Sequence, residues 1–304
     1  LEKAGAIVYT PRERDAQTNM FVVDNDQPGR DGSYIEDNVS GSSWQTGNSR
    51  GFSMPLTTLN DGIQPFVSGT LRTIPTTQGD NVNRVTWAPR ITSPGNYSVY
   101  VSYATLPHAV SDAHYTVSHA GQRTEFHVNQ QMGGGTWVYL GTFYFEAGNS
   151  AQNYVTLNNK SKEHGVVCAD AVRFGGGMSI TERNLPQVSF STDSTRIYTY
   201  PKGPTSRLPR QLEGARYHAQ WSGLPDSLYR SNPEGSDYND DIRVRPLMLN
   251  YLNGGSIYNP DTLGAKVPFE LSFALHTDAG YLRNGGIYGS LGIITSKGDK
   301  GEFE

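Results

Sequence analysis

Between Arg84 and Phe174 this chain carries seven short stretches that read as strands, with no helical period between them. They are RVTWAP, YSVYVSYA, AHYTVSH, TEFHVNQ, TWVYLGTFYFEA, NYVTLNN and GVVCADAVRF. The turns that bound them are PGN, HAGQ, MGGG, EAGN and KEHG. Val, Tyr, Phe, Trp and Thr fit a pleated, half-buried surface, and these stretches are rich in them. So many closely spaced strands leave few architectures, and the expectation is a β-sandwich of jelly-roll type.

Outside this block the pattern changes. Leu1–Gly5 reads as a helix end capped by Gly5, and Ala6–Tyr9 as a short buried strand. Residues 24–80 are rich in Gly, Ser, Asn and Asp and read as irregular strands and loops. Gly175–Gly177 closes the strand block, and Met178–Pro204 reads as a connector. Leu208, Leu212, Ala215 and Ala219 follow a 3.6-residue period, which predicts a helix over Arg207–Trp221. A second helix is expected over Pro246–Leu252, stopped by Gly254–Gly255. The acids of SDYNDD (Asp237, Asp240, Asp241) mark a helix start. VPFELSFALHTDAG at 267–280 predicts a strand that ends on His276, and SLGIITS at 290–296 predicts another. Alternating helices and strands favour an α/β layer for these flanks.

Composition excludes several functions. The net charge is −4 with no basic cluster, so nothing points to nucleic acid. No apolar run approaches 18 residues, so no membrane span is expected. The single cysteine, Cys168, rules out an intrachain disulfide framework and reads as a buried small hydrophobe. The chain opens at Leu1 and reads as a piece of a longer protein.

Two resemblances organise these observations. SFALHTDAG is similar to the strand–histidine segment of zinc-dependent N-acetylmuramoyl-L-alanine amidases, often S-I-H-x-N-A. LEKAGAIVYTPRERD resembles that family's L-x-x-x-G-x-x-V-x-x-T-R-x-x-D, with Pro11 interposed between Thr10 and Arg12. Residues 24–177 resemble the golvesin C-terminal-like, or xanthan-lyase-type, binding domain. The matching pieces are PGNYSVYVSY, DAHYTVSHAGQRTEFHVNQ, GGGTWVYLGTFYFEAGN and GVVCADAVRFGGG. The combination is similar to Bacteroides-type proteins often labelled xanthan lyase.

The resemblances imply a mixed fold class: an all-β, jelly-roll-like sandwich inserted into an incomplete α/β amidase-like layer. The implied pieces are residues 1–23 and 178–304 for the layer and 24–177 for the insert. Ala6–Tyr9 would then pair in parallel near Leu271–Leu275. The implied function is the middle portion of a secreted zinc-dependent cell-wall amidase with a glycan-binding sandwich. Its partner would be peptidoglycan or another extracellular polysaccharide. His276 would be a zinc ligand in the complete protein. The family's other ligands have no matching position here, so this chain alone is expected to hold no zinc tightly. The alternatives are a non-catalytic polysaccharide-binding or adhesive module and a xanthan-lyase-type polysaccharide-degrading protein.

Three further sets of side chains stand as candidates. Aromatic faces stack on sugar rings, which nominates Trp87, Tyr100, Tyr103 and Tyr139, provided that they point outward. Trp137, Phe143 and Phe145 are assigned to the core. His108, His114, His119 and His127 crowd one region, and a hairpin at Ala120–Gln122 brings His119 toward His127 as a metal pair. Ordinary exposed histidines are the alternative. Asp112, Glu146 and Asp170 are candidates for a structural calcium site, though no dense Asp/Asn loop accompanies them.

Overall fold

The computed structural model describes residues 8–39, 41–54, 59, 61–148, 152–176, 181–183, 187–190, 192, 196–199, 202–205, 214–232 and 237–273. Among these residues run sixteen strands: β1 (Met20–Val23), β2 (Gly32–Asp37), β3 (Gln45–Thr46), β4 (Arg72–Pro75), β5 (Arg84–Pro89), β6 (Gly95–Val101), β7 (Ala113–His119), β8 (Gln122–Val128), β9 (Val138–Phe145), β10 (Tyr154–Asn158), β11 (Val166–Ala169), β12 (Val172–Gly175), β13 (Thr181–Arg183), β14 (Gln187–Phe190), β15 (Arg196–Thr199) and β16 (Lys202–Thr205). Three α-helices follow: α1 (Ala215–Trp221), α2 (Asp226–Tyr229) and α3 (Asp237–Asn253).

The expected sandwich is present. One sheet has the order β1-β12-β6-β9, a second β2-β5-β10-β7-β8, and a third β11-β4-β3. Their named pairings are antiparallel. Strand side chains alternate between faces, so each strand sends one parity into a shared core. Val85 and Trp87, Tyr97 and Val99, Tyr115 and Val117, Val155 and Leu157, and Val172 and Phe174 meet there. Phe145 is buried in that core and Phe143 packs against it.

GVVCADAVRF is two strands rather than one. β11 runs in the three-stranded sheet and β12 in the four-stranded one, with Asp170 and Ala171 at the crossing. Asp170 makes that corner. Its carboxylate accepts from the Phe52 N–H at 3.0 Å and the Ser102 hydroxyl at 2.7 Å. Its carbonyl accepts from the Trp87 indole N–H at 3.0 Å. β1 pairs with β12, so the sandwich sheet begins at Met20, N-terminal to the Asp24 boundary read from sequence.

The flanks differ from the sequence reading in several places. The Met178–Pro204 segment, read as a connector, contains strand pairs β13–β16 and β14–β15. Of the helix expected over 207–221, the described part is α1, and residues 207–213 lie outside the described residues. The second helix starts at Asp237, nine residues before Pro246, which therefore sits inside it without an N–H to donate. No strand runs through residues 267–273. The approach to that segment uses its backbone donors on the end of α3. Ala265, Lys266 and Val267 N–H groups reach the carbonyls of Tyr251, Gly254 and Leu252 at 2.8–3.0 Å. Residues 1–7, residues 274–280 and the expected strand at 290–296 lie outside the described residues. The parallel pairing of Ala6–Tyr9 with Leu271–Leu275 therefore rests largely on residues outside them.

Over β1, β12 and most of β6 both faces of the four-stranded sheet are buried. Val22, Tyr100 and Ala171 turn away from the sandwich core and join a second cluster with Phe52, Met54, Leu59, Phe66, Trp137 and Trp221. Trp221, the last residue of α1, lies edge-on to Phe52 at 5.9 Å and 5.8 Å from Trp137. Gly223, just beyond α1, has φ +86° and a Cβ there would meet the Gly135 carbonyl at 2.3 Å, so only glycine allows this approach. α1 is also held by Arg216 to Asp61 at 2.5 Å and by the Gln220 amide donating to the Ile63 carbonyl at 3.1 Å. Removing a fully buried Trp side chain costs about 3–5 kcal/mol. Trp221→Ala is expected to lower the unfolding free energy by that amount in a urea titration. An unchanged midpoint would show that α1 does not stabilise the sandwich.

Candidate functional site

The aromatic candidates are placed mostly inside the protein. Trp87 is 1% exposed on the inward parity of β5, and Tyr103 is 2% exposed with its hydroxyl donating to the Met132 carbonyl at 2.8 Å. Tyr100 does point away from the core, as a sugar platform requires, but is only 5% exposed. Tyr139 is half-buried, with the Arg14 guanidinium 3.9 Å above its ring. None of the first three presents a free face for stacking. His276 lies outside the described residues. Among the described residues, no group of three or more His, Cys, Asp or Glu is placed to hold a metal ion. Asp112, Glu146 and Asp170 are not gathered into such a group.

What covers Tyr100 is a buried polar row. The register aligns Val22, Arg173, Tyr100 and Tyr139 across four strands on one face. The N-terminal segment runs over that row, one residue per contact. Glu13 Oε2 accepts from Arg173 Nη1 at 2.5 Å, and both side chains are sealed from solvent. Glu13 Oε1 accepts from the Tyr100 hydroxyl at 2.7 Å. Arg14 covers Tyr139, and Asp15 accepts from the Ser98 N–H at 2.9 Å. The Arg173 guanidinium also stacks 3.8 Å over the Tyr100 ring. Burial pushes the Glu13 carboxyl up, but Arg173, His218 and the two hydrogen bonds outweigh it and hold it at about 2. Burial pushes the His218 imidazole down to about 4. These are structural groups at the join between sheet, N-terminal segment and α1. Glu13, Arg173 and Tyr100 are sealed, while Arg14, Asp15 and Ser98 line a groove beside the N-terminal segment.

The open cleft lies where three loops meet, with a volume of about 500 Å³. Ser42, Pro75, Thr76, Thr77, Gly79, Asp80, Asn81, Asn83 and Asn159 line it. Two buried asparagines hold its floor. Asn83 N–H donates to Asn159 Oδ1 at 2.8 Å, and Asn83 Nδ2 donates to the Ser42 hydroxyl at 2.7 Å. Asn159 Nδ2 donates to the Pro75 carbonyl at 3.0 Å, and Asn83 Oδ1 accepts from the Val39 N–H at 2.7 Å. These bonds span 41 to 84 residues of sequence and tie the loops to one another. At the rim Lys160 donates to Asp80 at 2.9 Å, and this hydrogen bond holds the Asp80 carboxyl below its ordinary value. The lining offers amides, hydroxyls and one anionic carboxylate, with no aromatic ring and no nucleophile–base pair. Such a surface can hydrogen-bond hydroxyl groups. The sequence reading missed these residues. Their signal, QGDNVN at 78–83 and the Asn158–Asn159 pair, looked like ordinary turn composition.

A shallower groove of about 400 Å³ follows the N-terminal segment, lined by residues including Arg14, Gln17, Asn96 and Thr142.

Comparison with known proteins places part of this chain. Residues 64–176 match the family model described as the Golvesin C-terminal domain, a stretch that holds β4 to β12 and most of the cleft. Over 98 residues, 32% of this chain, the sequence is 34% identical to a xanthan lyase of Bacillus sp. (strain GL1). That match spans 10% of the relative's length. Among solved structures the chain is similar to a Paenibacillus xanthan lyase, with 23% identity and a TM-score of 0.41, covering 52% of this chain and 13% of that one. It is also similar to the C-terminal CBM6 of LamC, a marine laminarinase from Zobellia galactanivorans, with 13% identity and a TM-score of 0.31, covering 52% of this chain and 99% of that one.

Two carboxyls titrate in opposite senses. Glu13 is held low, so its contribution to stability is present above the unfolded value of 4.5 and is lost as pH falls through about 2. Burial pushes Asp170 up to about 7, so its contribution is full below the unfolded value of 3.8 and is lost as pH rises through about 7. In a denaturant titration Glu13 alone should take away about 3 kcal/mol as pH falls from 4.5 to 2, partly offset by Asp170, and stability should also fall as pH rises from 4 to 7. Glu13→Gln is expected to remove the acid decline and Asp170→Asn to reduce the neutral one, to which the buried carboxyl of Asp24, also raised by burial and by Asp170, contributes. Unchanged pH profiles in these variants would contradict the assignments.

Proposed function

We propose that the sandwich is a polysaccharide-binding domain and that the loop cleft around Asp80, Asn81, Asn83 and Asn159 holds the sugar. The cleft carries this reading: a preformed concavity lined mostly by hydroxyl, amide and carboxylate side chains. The Golvesin-type match and the identity to a xanthan lyase support it. An extracellular polysaccharide implies a secreted protein. No helix among the described residues is long and apolar enough to cross a membrane.

Recognition here is by hydrogen bonds, since the lining has no aromatic side chain. Losing one net hydrogen bond of about 1 kcal/mol weakens binding about fivefold. Affinity electrophoresis in gels containing xanthan, laminarin or peptidoglycan fragments is the direct assay. At least one polymer should retard the protein, and Asp80→Ala and Asn81→Ala should each weaken that retardation about fivefold. Retardation that neither substitution alters would move the site elsewhere, and no retardation by any polymer would remove the reading.

The finer reading, a zinc amidase in the complete protein with His276 as ligand, rests on the resemblance of SFALHTDAG and of the N-terminal motif. Its test is metal analysis of the longer protein, where His276→Ala should abolish zinc retention.

A further inference from the structure

We propose that His114 and His127 form a surface site for a late first-row divalent cation, Cu²⁺ above all, on the outer face of the β2-β5-β10-β7-β8 sheet. The β7–β8 register sets the two residues directly opposite each other. Ala113, Tyr115 and Val128 on either side of them face the core, so both imidazoles share the outward parity. Their ring centroids are 4.2 Å apart. Side chains directly opposed on neighbouring strands have Cβ atoms roughly 5 Å apart. A rotation of each ring about its side-chain bonds then brings two ring nitrogens onto one ion.

The surroundings suit a cation. Imidazole binds Cu²⁺, Ni²⁺ and Zn²⁺ as the neutral base, and affinity across this series is greatest for Cu²⁺. Burial and the facing His127 hold His114 below its ordinary value. The carboxylates of Asp112 and Glu125 act on His114 in the sense that favours positive charge, and Lys160 acts against it. Lys160 is itself engaged by Asp80. Asp112 acts on His114 through its field, with its oxygens accepting from Ser161 Oγ and the Lys162 N–H. Two imidazoles leave the remaining coordination positions to water.

The structure selects this pair over the His119–His127 pair that the sequence suggested. His119 lies opposite Gln122 at the hairpin end, with Nε2 3.1 Å from the Thr124 hydroxyl and its ring 4.6 Å from Phe143.

Titration of CuSO₄ and ZnCl₂ into the 304-residue chain by isothermal calorimetry tests the site, with Cu²⁺ electron paramagnetic resonance at one equivalent. The expected result is one Cu²⁺ bound more tightly than Zn²⁺, with hyperfine coupling from two imidazole nitrogens. His114→Gln and His127→Gln should each weaken Cu²⁺ at least tenfold, while His119→Gln leaves it unchanged. Circular dichroism melts confirm that each variant is folded, which is expected because both side chains face outward. Cu²⁺ affinity that neither His114→Gln nor His127→Gln changes, or that only His119→Gln changes, would overturn the proposal, and so would the absence of nitrogen coupling.

Discussion

The ion pair between Arg173 and Glu13 decides what this sandwich is. A guanidinium on the middle of a strand normally faces water. Here it lies on the outer face of a sheet and is fully buried. Taking two charges out of water costs several kcal/mol per ion, so such a pair persists only where geometry and further hydrogen bonds offset that loss. For Glu13 the Tyr100 hydroxyl and the Arg14 and Asp15 N–H groups provide them; Arg173 has the Tyr100 ring beneath it, while its Nε and Nη2 are buried without a hydrogen-bond partner among the described residues. The consequence is positional. Once Glu13 is fixed, Arg14 falls over Tyr139 and Asp15 over Ser98, and the N-terminal segment has one path across the sheet. Arg12 extends the same path to Asp241 of α3 at 3.1 Å.

This second buried face unites the sandwich with its flanks. Residues up to Pro268 form one compact unit. Phe52, Phe66, Trp137 and Trp221 pack ring against ring between sheet and α1. The stretch matching the Golvesin model contains Arg173 and Trp137 but neither Glu13 nor Trp221. The sequence-matched segment therefore displays half of each of these contacts, and the other halves come from outside it.

The strands were legible in sequence because Val, Tyr and Thr alternate between clear turn signals. The crossing inside GVVCADAVRF was not, because an apolar run conceals a corner and nothing local shows that Asp170 would be satisfied by Phe52, 118 residues away. The parity of Tyr100 was readable in principle, but its burial was not, since the cover comes from residue 13. The bulged β6–β9 register, which skips Leu140, also breaks the alternation that would orient Tyr139. The cleft stayed hidden for a different reason. Its asparagines look like ordinary loop residues in sequence, and only the fold brings Asn83 next to Asn159.

The cleft and the buried row divide the work between them. The row fixes sheet, N-terminal segment and α1, leaving the loop end free to vary around a rigid frame. The frame is tested most directly by a double-mutant cycle on Glu13→Gln and Arg173→Met, read as unfolding free energies in urea. Each single change should cost about 3–5 kcal/mol by stranding a buried charge, and the double variant should recover about 2 kcal/mol or more of the summed loss. Additivity within about 0.5 kcal/mol would contradict the account, since it would mean that the two groups do not interact.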